Sequence, residues 1–575
     1  MLQPRLLAAN PSAGPGWLVL LRIVLVATLA TWAAGCASLP ANVSRPVTQA
    51  FNAPDETALG RLVLQRRTQA GGTRGDSGFR LLESVDAAFN SRLALIEGAQ
   101  RTLDLQYYAI HADSSTGQLL ERVRAAALRG VRVRILLDDF NSVGADAQVL
   151  RLAFLTNIEL RLFNPLPGSR RSLIGRIFTS LHDVGQIQKR MHNKLFIADN
   201  AWGITGGRNL GDAYFGRGDD SNFVDLDVLA AGRIVRDMSA SFDSYWNNEL
   251  AYPVQTLLDK EDLDRLRTPL SASTTDVSQA PSASKPATTV THTASVLPDI
   301  TATNVLTQMQ SRALDLRQVA LTWAPSALMV DKPGKIGPGD DEVDAGDTLI
   351  DGLLALMAQA RSDILIVSPY FVPGRPMMKA FTDLRGRGVR IRVLTNSLAS
   401  NDAPAAHAGY ARYRKQLLEA GVELYEMRAE QQGAAGALGS GGGARGAQLT
   451  GMFGSGGAAG GSKAGTGRAS LHSKAVIIDG RLAVIGSMNL DLRSQLKNSE
   501  VALVIRSAAL AQEAIRLVET SIATGAYRLE LAGSTLRWRA PPGARFQDAS
   551  SEPEASTKLK LLVNVLGPFA PDEML

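Results

Sequence analysis

The sequence predicts an α/β protein in which one unit, a mixed sheet flanked by helices, is built twice. Three observations carry this. The strand pattern Gly130-Val-Arg-Val-Arg-Ile-Leu-Leu137 reappears as Gly388-Val-Arg-Ile-Arg-Val-Leu-Thr395. Around both copies, short alternating apolar runs take turns with helical patterns, as βα units of a mostly parallel or mixed sheet require. The pattern His-x-Lys-x-x-x-x-Asp also occurs twice, from His192 and Lys194 to Asp199 and from His472 and Lys474 to Asp479.

Taken in order, Arg5 and Arg22 precede an apolar run, Ile23 to Ala34, followed by Gly35 and Cys36. A basic flank, a short apolar core and small residues make a secretory signal. A cysteine just after the small residues resembles a bacterial lipobox, so residues 1–36 read as a lipoprotein-type signal or anchor with Cys36 as the lipidation site. An uncleaved anchor, with the apolar run reaching back to Trp17, is the alternative. Cys36 is the single cysteine, which excludes an internal disulfide and a cysteine-ligated zinc site.

Residues 76–262 form the first repeat. Val85, Phe89, Leu93 and Ile96 mark the apolar stripe of a helix, followed by strands at Leu103 to Tyr108, Gly130 to Leu137 and Ile158 to Phe163. Residues 263–300 read as a flexible linker, because Ser271 to Ser295 is rich in Ser, Thr, Ala and Pro. The second repeat, 301–530, carries matching strands at Ile364 to Pro369, Gly388 to Thr395 and Val422 to Met427. It is interrupted at 431–467 by Gly, Ala and Ser, which bury too little apolar surface to offset the entropy of ordering. In the tail, 531–575, the run Leu559 to Leu566 reads either as a membrane-surface segment or as a docked terminal element.

Chemistry is concentrated in the doubled motif. Two imidazoles with two lysines suit substitution at a phosphodiester: one imidazole attacks phosphorus, the other protonates the departing oxygen, and the lysines hold the anionic oxygens. If His192 to Asp199 is one strand, His192 and Lys194 share a face and Asp199 lies on the other. Asp199 and Asp479 are then structural braces. Asn209 and Asn489, each after a small-residue turn, supply amide donors. A carboxylate must hold the second nitrogen of each imidazole; aligning Asp227-Val228 with Glu500-Val501 makes Asp227 and Glu500 the expected orienting groups and matches Asp225 to Asn498. His407 lies on a loop from which it can contact substrate or start a helix, whereas His182 and His292 lack any such context. No carboxylate cluster with metal-ligand spacing accompanies the histidines, so neither a metal nor a cofactor is expected. The 575 residues are 45% hydrophobic, which excludes a wholly disordered chain, and the net charge of +6 favours an anionic partner, nucleic acid or acidic lipid.

These residues resemble the phospholipase D superfamily from about Phe79 to Ile522. Leu103 to Tyr108, Arg190 to Ile197, Thr205 to Gly211 and Ser241 to Trp246 are similar to the C-type cardiolipin synthases of Gram-negative bacteria. The resemblance implies two fused halves about a pseudo-twofold axis, one active site at their junction and a covalent phosphatidyl-histidine intermediate, with His192 as nucleophile and His472 as general acid and then base. It implies phospholipid substrates, phosphatidylglycerol and phosphatidylethanolamine, at a membrane surface on the periplasmic side of a bacterial envelope, with no protein partner. A phospholipid-hydrolysing enzyme, a secreted nuclease of the same superfamily and a non-catalytic envelope protein are the competing readings.

Overall fold

The computed structural model describes residues 39–168, 176–177, 180, 184–219, 221–267, 313–337, 348–430 and 468–567. Cys36 with its signal segment, His182, His292, the Ser/Thr-rich linker residues and the glycine-rich insertion lie outside the described residues.

The first half contributes strands β1 (Ser77–Leu82), β2 (Thr102–Tyr107), β3 (Arg132–Asp138), β4 (Ile158–Phe163), β5 (Arg190–Met191), β6 (Leu195–Ala198), β7 (Trp202–Gly206), β8 (Asn222–Val224), β9 (Asp227–Gly232) and β10 (Ala251–Pro253). Then come β11 (Thr322–Ala324), β12 (Ser326–Val330), β13 (Asp363–Val367), β14 (Arg390–Asn396), β15 (Glu423–Met427), β16 (Ala469–Leu471), β17 (Ala475–Ile478), β18 (Leu482–Gly486), β19 (Asn498–Ser499), β20 (Val501–Arg506), β21 (Ala526–Ala532) and β22 (Thr535–Arg539). The helices that matter here are α1 (Val85–Gly98), α2 (Ser114–Leu128), α3 (Arg233–Trp246), α4 (Gly374–Gly386), α5 (Pro404–Glu419), α6 (Leu492–Leu496), α7 (Ala508–Gly525) and α8 (Thr557–Leu566).

Two nine-stranded sheets result, ordered β10-β4-β3-β2-β6-β7-β9-β1-β11 and β22-β21-β15-β14-β13-β17-β18-β20-β12. The second order repeats the first, with β4, β3, β2, β6, β7 and β9 answered by β15, β14, β13, β17, β18 and β20. Parallel pairing of β2-β3-β4 and β13-β14-β15 with antiparallel neighbours makes each sheet mixed. The expected α/β class and duplication are therefore the fold observed. Local chemistry sets the elements: Ser84 caps α1 by accepting from Ala87 N–H, and Asp113 caps α2 through Thr116 N–H. Gly130 (φ 95°) and Gly388 (φ 81°) make the left-handed turns leading into β3 and β14.

The inner faces of the sheets share one core, in which Leu81, Ile197 and Val228 meet Leu365, Ile477 and Leu503, with α3 and α7 packed into it. Separate cores cover the outer faces, under α1 and α2 on one side and α4 and α5 on the other.

Two expected boundaries move. Thr322–Ala324, assigned by sequence to the second repeat, pairs with β1 and closes the edge of the first sheet, because Ser77↔Ala324 gives its backbone groups a ladder there. The division between sheets falls at Pro325 and not at residue 301. Residue 531 likewise does not begin a tail: β21 runs to Ala532 and forms a hairpin with β22 within the second sheet.

Candidate active site

Each motif histidine is held by the opposite half. β5 pairs in parallel with β19, Met191 facing Ser499, and His192 N–H donates to Ser499 C=O at 2.9 Å. Reciprocally, β16 pairs with β8, Leu471 facing Val224, and His472 N–H donates to Val224 C=O at 2.8 Å. The motif is thus not one continuous strand as expected: residues 192–194 are an irregular passage between β5, bound to the other half, and β6, bound to its own sheet. Alternation still holds beyond it, with Phe196 in the outer core and Leu195 and Ile197 in the inner one.

Two anchors were missed by sequence reasoning. The Asp138 carboxylate accepts from Met191 N–H at 2.8 Å, and the Asn396 amide oxygen accepts from Leu471 N–H at 2.8 Å. Both are the last residues of their strands, β3 and β14, so each pins the residue just before a histidine. The available signal was a polar residue closing each repeated apolar run, Asp138 after Leu137 and Asn396 after Thr395.

The side chains continue the exchange. His192 Nδ1 meets both Glu500 carboxylate oxygens at 2.9 and 3.0 Å, and His472 Nδ1 meets Asp225 at 2.6 Å. With Nδ1 occupied in each ring, Nε2 is the nitrogen left for a reacting atom. Lys194 Nζ donates to His192 C=O at 2.8 Å and Lys474 Nζ to His472 C=O at 2.5 Å, so both ammonium groups lie beside their own imidazoles. Tyr108 stands edge-on to His192 with ring centres 5.2 Å apart, while Tyr214 and Phe223 flank His472 at 5.4 and 5.0 Å.

The orienting group in the first half is Asp225, not Asp227. Gly206 faces Asp227 across the β7–β9 ladder, and its counterpart Gly486 faces Ala502 across β18–β20. Asp227 therefore corresponds to Ala502, and Asp225 corresponds to Glu500. A register shift of two preserves strand parity, so alternation alone could not separate the two aspartates. Asp227 serves the interior instead: it accepts from Arg92 at 2.9 Å and lies 3.5 Å from Arg208. The turn residues complement the two carboxylates. A Cβ on Gly207 would fall 2.1 Å from Asp225 Oδ1, whereas the equivalent Ser487 is accommodated by Glu500 and donates to it at 2.5 Å. Ser494 donates to the other Glu500 oxygen at 3.0 Å.

Asp199 and Asp479 sit at left-handed positions (φ 52° and 51°). Asp199 accepts from Gln100, Arg101 and Thr102 N–H at 2.9, 2.7 and 3.0 Å. Asp479 does the same for Arg361, Ser362 and Asp363 at 3.0, 2.7 and 3.1 Å. Each closes the motif strand and ties it to the start of the adjacent β2 or β13. Asn209 donates to Tyr214 O–H at 2.9 Å and accepts from Ala109 N–H at 3.3 Å. The Asn489 amide oxygen is buried with no hydrogen-bond partner among the described residues. His407 does not offer a face to substrate: it is fully buried on α5, with Nε2 3.0 Å from Arg414. A third histidine, His111, was not singled out by sequence. It lies 3.0 Å from Asp146 and stacks on Tyr214, near His472, with its side chain 31% exposed.

Burial governs the electrostatics. It drives His192 down to about 4, against the opposing pull of Glu500 and with help from Lys194 and Lys474. It drives Lys194 down to about 7 and Lys474 down to about 8. His472 falls well below the usual imidazole range through burial, then Lys474, Lys194 and His192. Each cluster thus feels the charges of the other across the seam, so the four groups occupy one electrostatic site. Burial raises Asp225, whereas Glu500 is held below the ordinary carboxylate range because its contacts with His192, Lys194 and Ser487 outweigh burial. With both imidazoles neutral, Lys194 and Lys474 are the groups of this cluster that bring positive charge to an anion. Among the described residues no group of three or more His, Cys, Asp or Glu is arranged to hold a metal ion.

Comparison with known proteins is consistent with this geometry. Residues 93–246, 353–439 and 446–521 match the family described as cardiolipin synthase, PLD-like domain. The chain belongs to that family. It is 37% identical over 441 residues to cardiolipin synthase C of Escherichia coli K12, covering 76% of this chain and 82% of the relative. It is 30% identical over 495 residues to an uncharacterized protein of Helicobacter pylori strain ATCC 700392 / 26695, covering 84% and 86%. The crystal structure of phosphatidylserine synthase from Haemophilus influenzae Rd KW20 shares the fold, with a TM-score of 0.51 at 13% identity over 89% of this chain and 99% of that one.

Proposed function

We propose that this protein is a phospholipase D-type phosphatidyltransferase that makes cardiolipin from two phospholipids. The observation that carries the reading is the reciprocal holding of the two histidines, Glu500 on His192 and Asp225 on His472, across the seam. In the first step His192 Nε2 attacks the phosphorus of a donor such as phosphatidylglycerol or phosphatidylethanolamine, and the P–O bond to the headgroup alcohol breaks. That oxygen takes the proton from His472 Nε2. In the second, His472 removes the proton from the hydroxyl of an acceptor phosphatidylglycerol, whose oxygen attacks phosphorus and expels His192. Water in place of the acceptor would give phosphatidate.

Burial and the neighbouring lysines depress both imidazoles. The phosphodiester's negative charge offsets the lysines and lets His472 carry its proton, while Glu500 directs the His192 lone pair from Nε2. Lys194 and Lys474, with the amides of Asn209 and Asn489, stabilise the pentavalent phosphorane. The setting proposed is the bacterial envelope, with the chain attached through Cys36 on the periplasmic side. Expressing wild type and His192→Ala in a host lacking cardiolipin synthases tests the reading by thin-layer chromatography of total lipid. Cardiolipin only with wild type supports it; phosphatidate alone indicates hydrolysis, and DNA degradation without lipid change indicates a nuclease.

A further inference from the structure

The last described helix, α8, has two apolar stripes. Leu559 and Val563 are buried against Leu398 and Ala408. Leu561, Leu562 and Val565 face outward, 64%, 46% and 55% exposed. At about 100° per residue, these three and the exposed Lys558 fall within one third of the helix circumference, turned about 130° from the docked stripe. Three of the seven exposed large hydrophobics among the described residues thus lie on one face of one ten-residue helix. The helix carries Lys558 and Lys560 and no acidic residue.

This face is held in position and is not a loose end. Glu552 pairs with Arg414 of α5, and Glu554 pairs with Arg428 and accepts from Ala429 N–H at 3.0 Å. Ala549 pairs with Trp538 of β22, and Arg412 donates to Gly567 C=O at 3.2 Å. The docked stripe rests on Leu398, two residues beyond the Asn396 that holds Leu471 beside His472. The helix therefore stands at the end of the sheet from which the catalytic histidine is presented.

The geometry points to α8 as an interfacial helix that seats the second half on an anionic phospholipid bilayer, Leu561, Leu562 and Val565 entering the acyl boundary and Lys558, on the same face, meeting lipid phosphates. Charge selects this occupant: an apolar face that carries the Lys558 ammonium and no carboxylate complements an anionic lipid surface. The inference deepens the phosphatidyltransferase reading, since it places bilayer beside the site, but its test does not depend on turnover.

The test uses the full chain with Cys36→Ser, so that one introduced cysteine carries a polarity-sensitive fluorophore. Leu561→Cys is compared with Leu128→Cys, a 74% exposed position on α2 in the other half. Vesicles of phosphatidylglycerol and phosphatidylethanolamine containing spin-labelled lipid should quench and blue-shift the label at 561 and leave that at 128 unchanged. Phosphatidylcholine vesicles or high salt should weaken the effect. A vesicle-bound, catalytically active protein whose 561 label stays unquenched overturns the inference and leaves the reaction standing. Quenching at 561 in protein without lipid turnover supports the docking and counts against the reaction. A blue shift without vesicles that grows with protein concentration assigns the face to a second copy and overturns the inference. Leu561→Ser with Leu562→Ser and Val565→Ser should lower turnover on vesicles by roughly tenfold or more and spare that on a soluble short-chain lipid; equal losses on both overturn it.

Discussion

Asp225 and Asp227 are two residues apart, both buried, and have opposite duties, so paired asparagine substitutions separate catalysis from stability. Asp225 makes a 2.6 Å bond to His472 Nδ1. In Asp225→Asn the amide can turn an N–H toward Nδ1, forcing the imidazole proton onto Nε2 and away from the tautomer needed to accept a proton from the incoming alcohol. Loss of an orienting carboxylate behind a catalytic histidine lowers kcat by roughly 10² to 10⁴-fold. Little stability should be lost, because burial already raises Asp225 and the amide is nearly isosteric. Asp227 instead faces Arg92 at 2.9 Å and Arg208 at 3.5 Å, all buried. Asp227→Asn strands two guanidinium groups, and breaking a buried pair costs about 3–5 kcal/mol. Its folded fraction should turn over within a few-fold of wild type. The assay is kcat on a soluble short-chain phosphatidylglycerol together with urea denaturation of both variants. A stable, fully active Asp225→Asn beside a stable, inactive Asp227→Asn would refute the register on which the site rests.

Three further outcomes follow from the same contacts. With a soluble substrate, kcat/KM should rise as pH increases through about 4, where His192 becomes neutral, then fall as the general acid His472 loses its proton well below the ordinary imidazole range, and fall further above about 7, where Lys194 loses its own; a limb at the ordinary imidazole value of about 6.5 contradicts the buried, lysine-flanked environment. Ser487→Ala removes one of two hydroxyl donors to Glu500, so kcat should fall by roughly tenfold with KM unchanged; a change confined to KM would argue for a substrate contact instead. Asp199→Ala leaves three backbone N–H groups without their acceptor and should destabilise the first half by roughly 3 kcal/mol; unaltered urea stability would show that the brace is dispensable.

Much of the fold was legible because its signals are local and duplicated. The strands beginning near Gly130 and Gly388 and the helix of Phe89 and Leu93 announce themselves by period. The doubled motif gave the histidines and lysines for the same reason. What stayed hidden depends on partners distant in sequence. That Glu500 serves His192 follows from β5 pairing with β19, about 300 residues away, and no periodicity carries that pairing. Asp225 and Asp227 share strand parity, so only the completed β7–β9 register tells them apart. Asp138 and Asn396 were visible as polar ends of repeated strands, yet their duty toward Met191 and Leu471 needed the sheet. His407 sits beside a loop in sequence, and α5 carries it into the interior against Arg414. Thr322–Ala324 joins the first sheet through a backbone ladder that side-chain pattern does not encode.

The proposed mechanism requires both imidazoles to act on one phosphorus, His192 by bonding to it. Single-turnover reaction of His472→Ala with a radiolabelled phosphatidyl ester of an activated phenol removes the need for an acid, so the intermediate should accumulate. Rapid quench, proteolysis and peptide mapping should then find the phosphatidyl group on the peptide containing His192. Turnover of that substrate with no labelled histidine in any peptide, or label absent from His192 while His192→Ala retains the wild-type burst, would contradict the account.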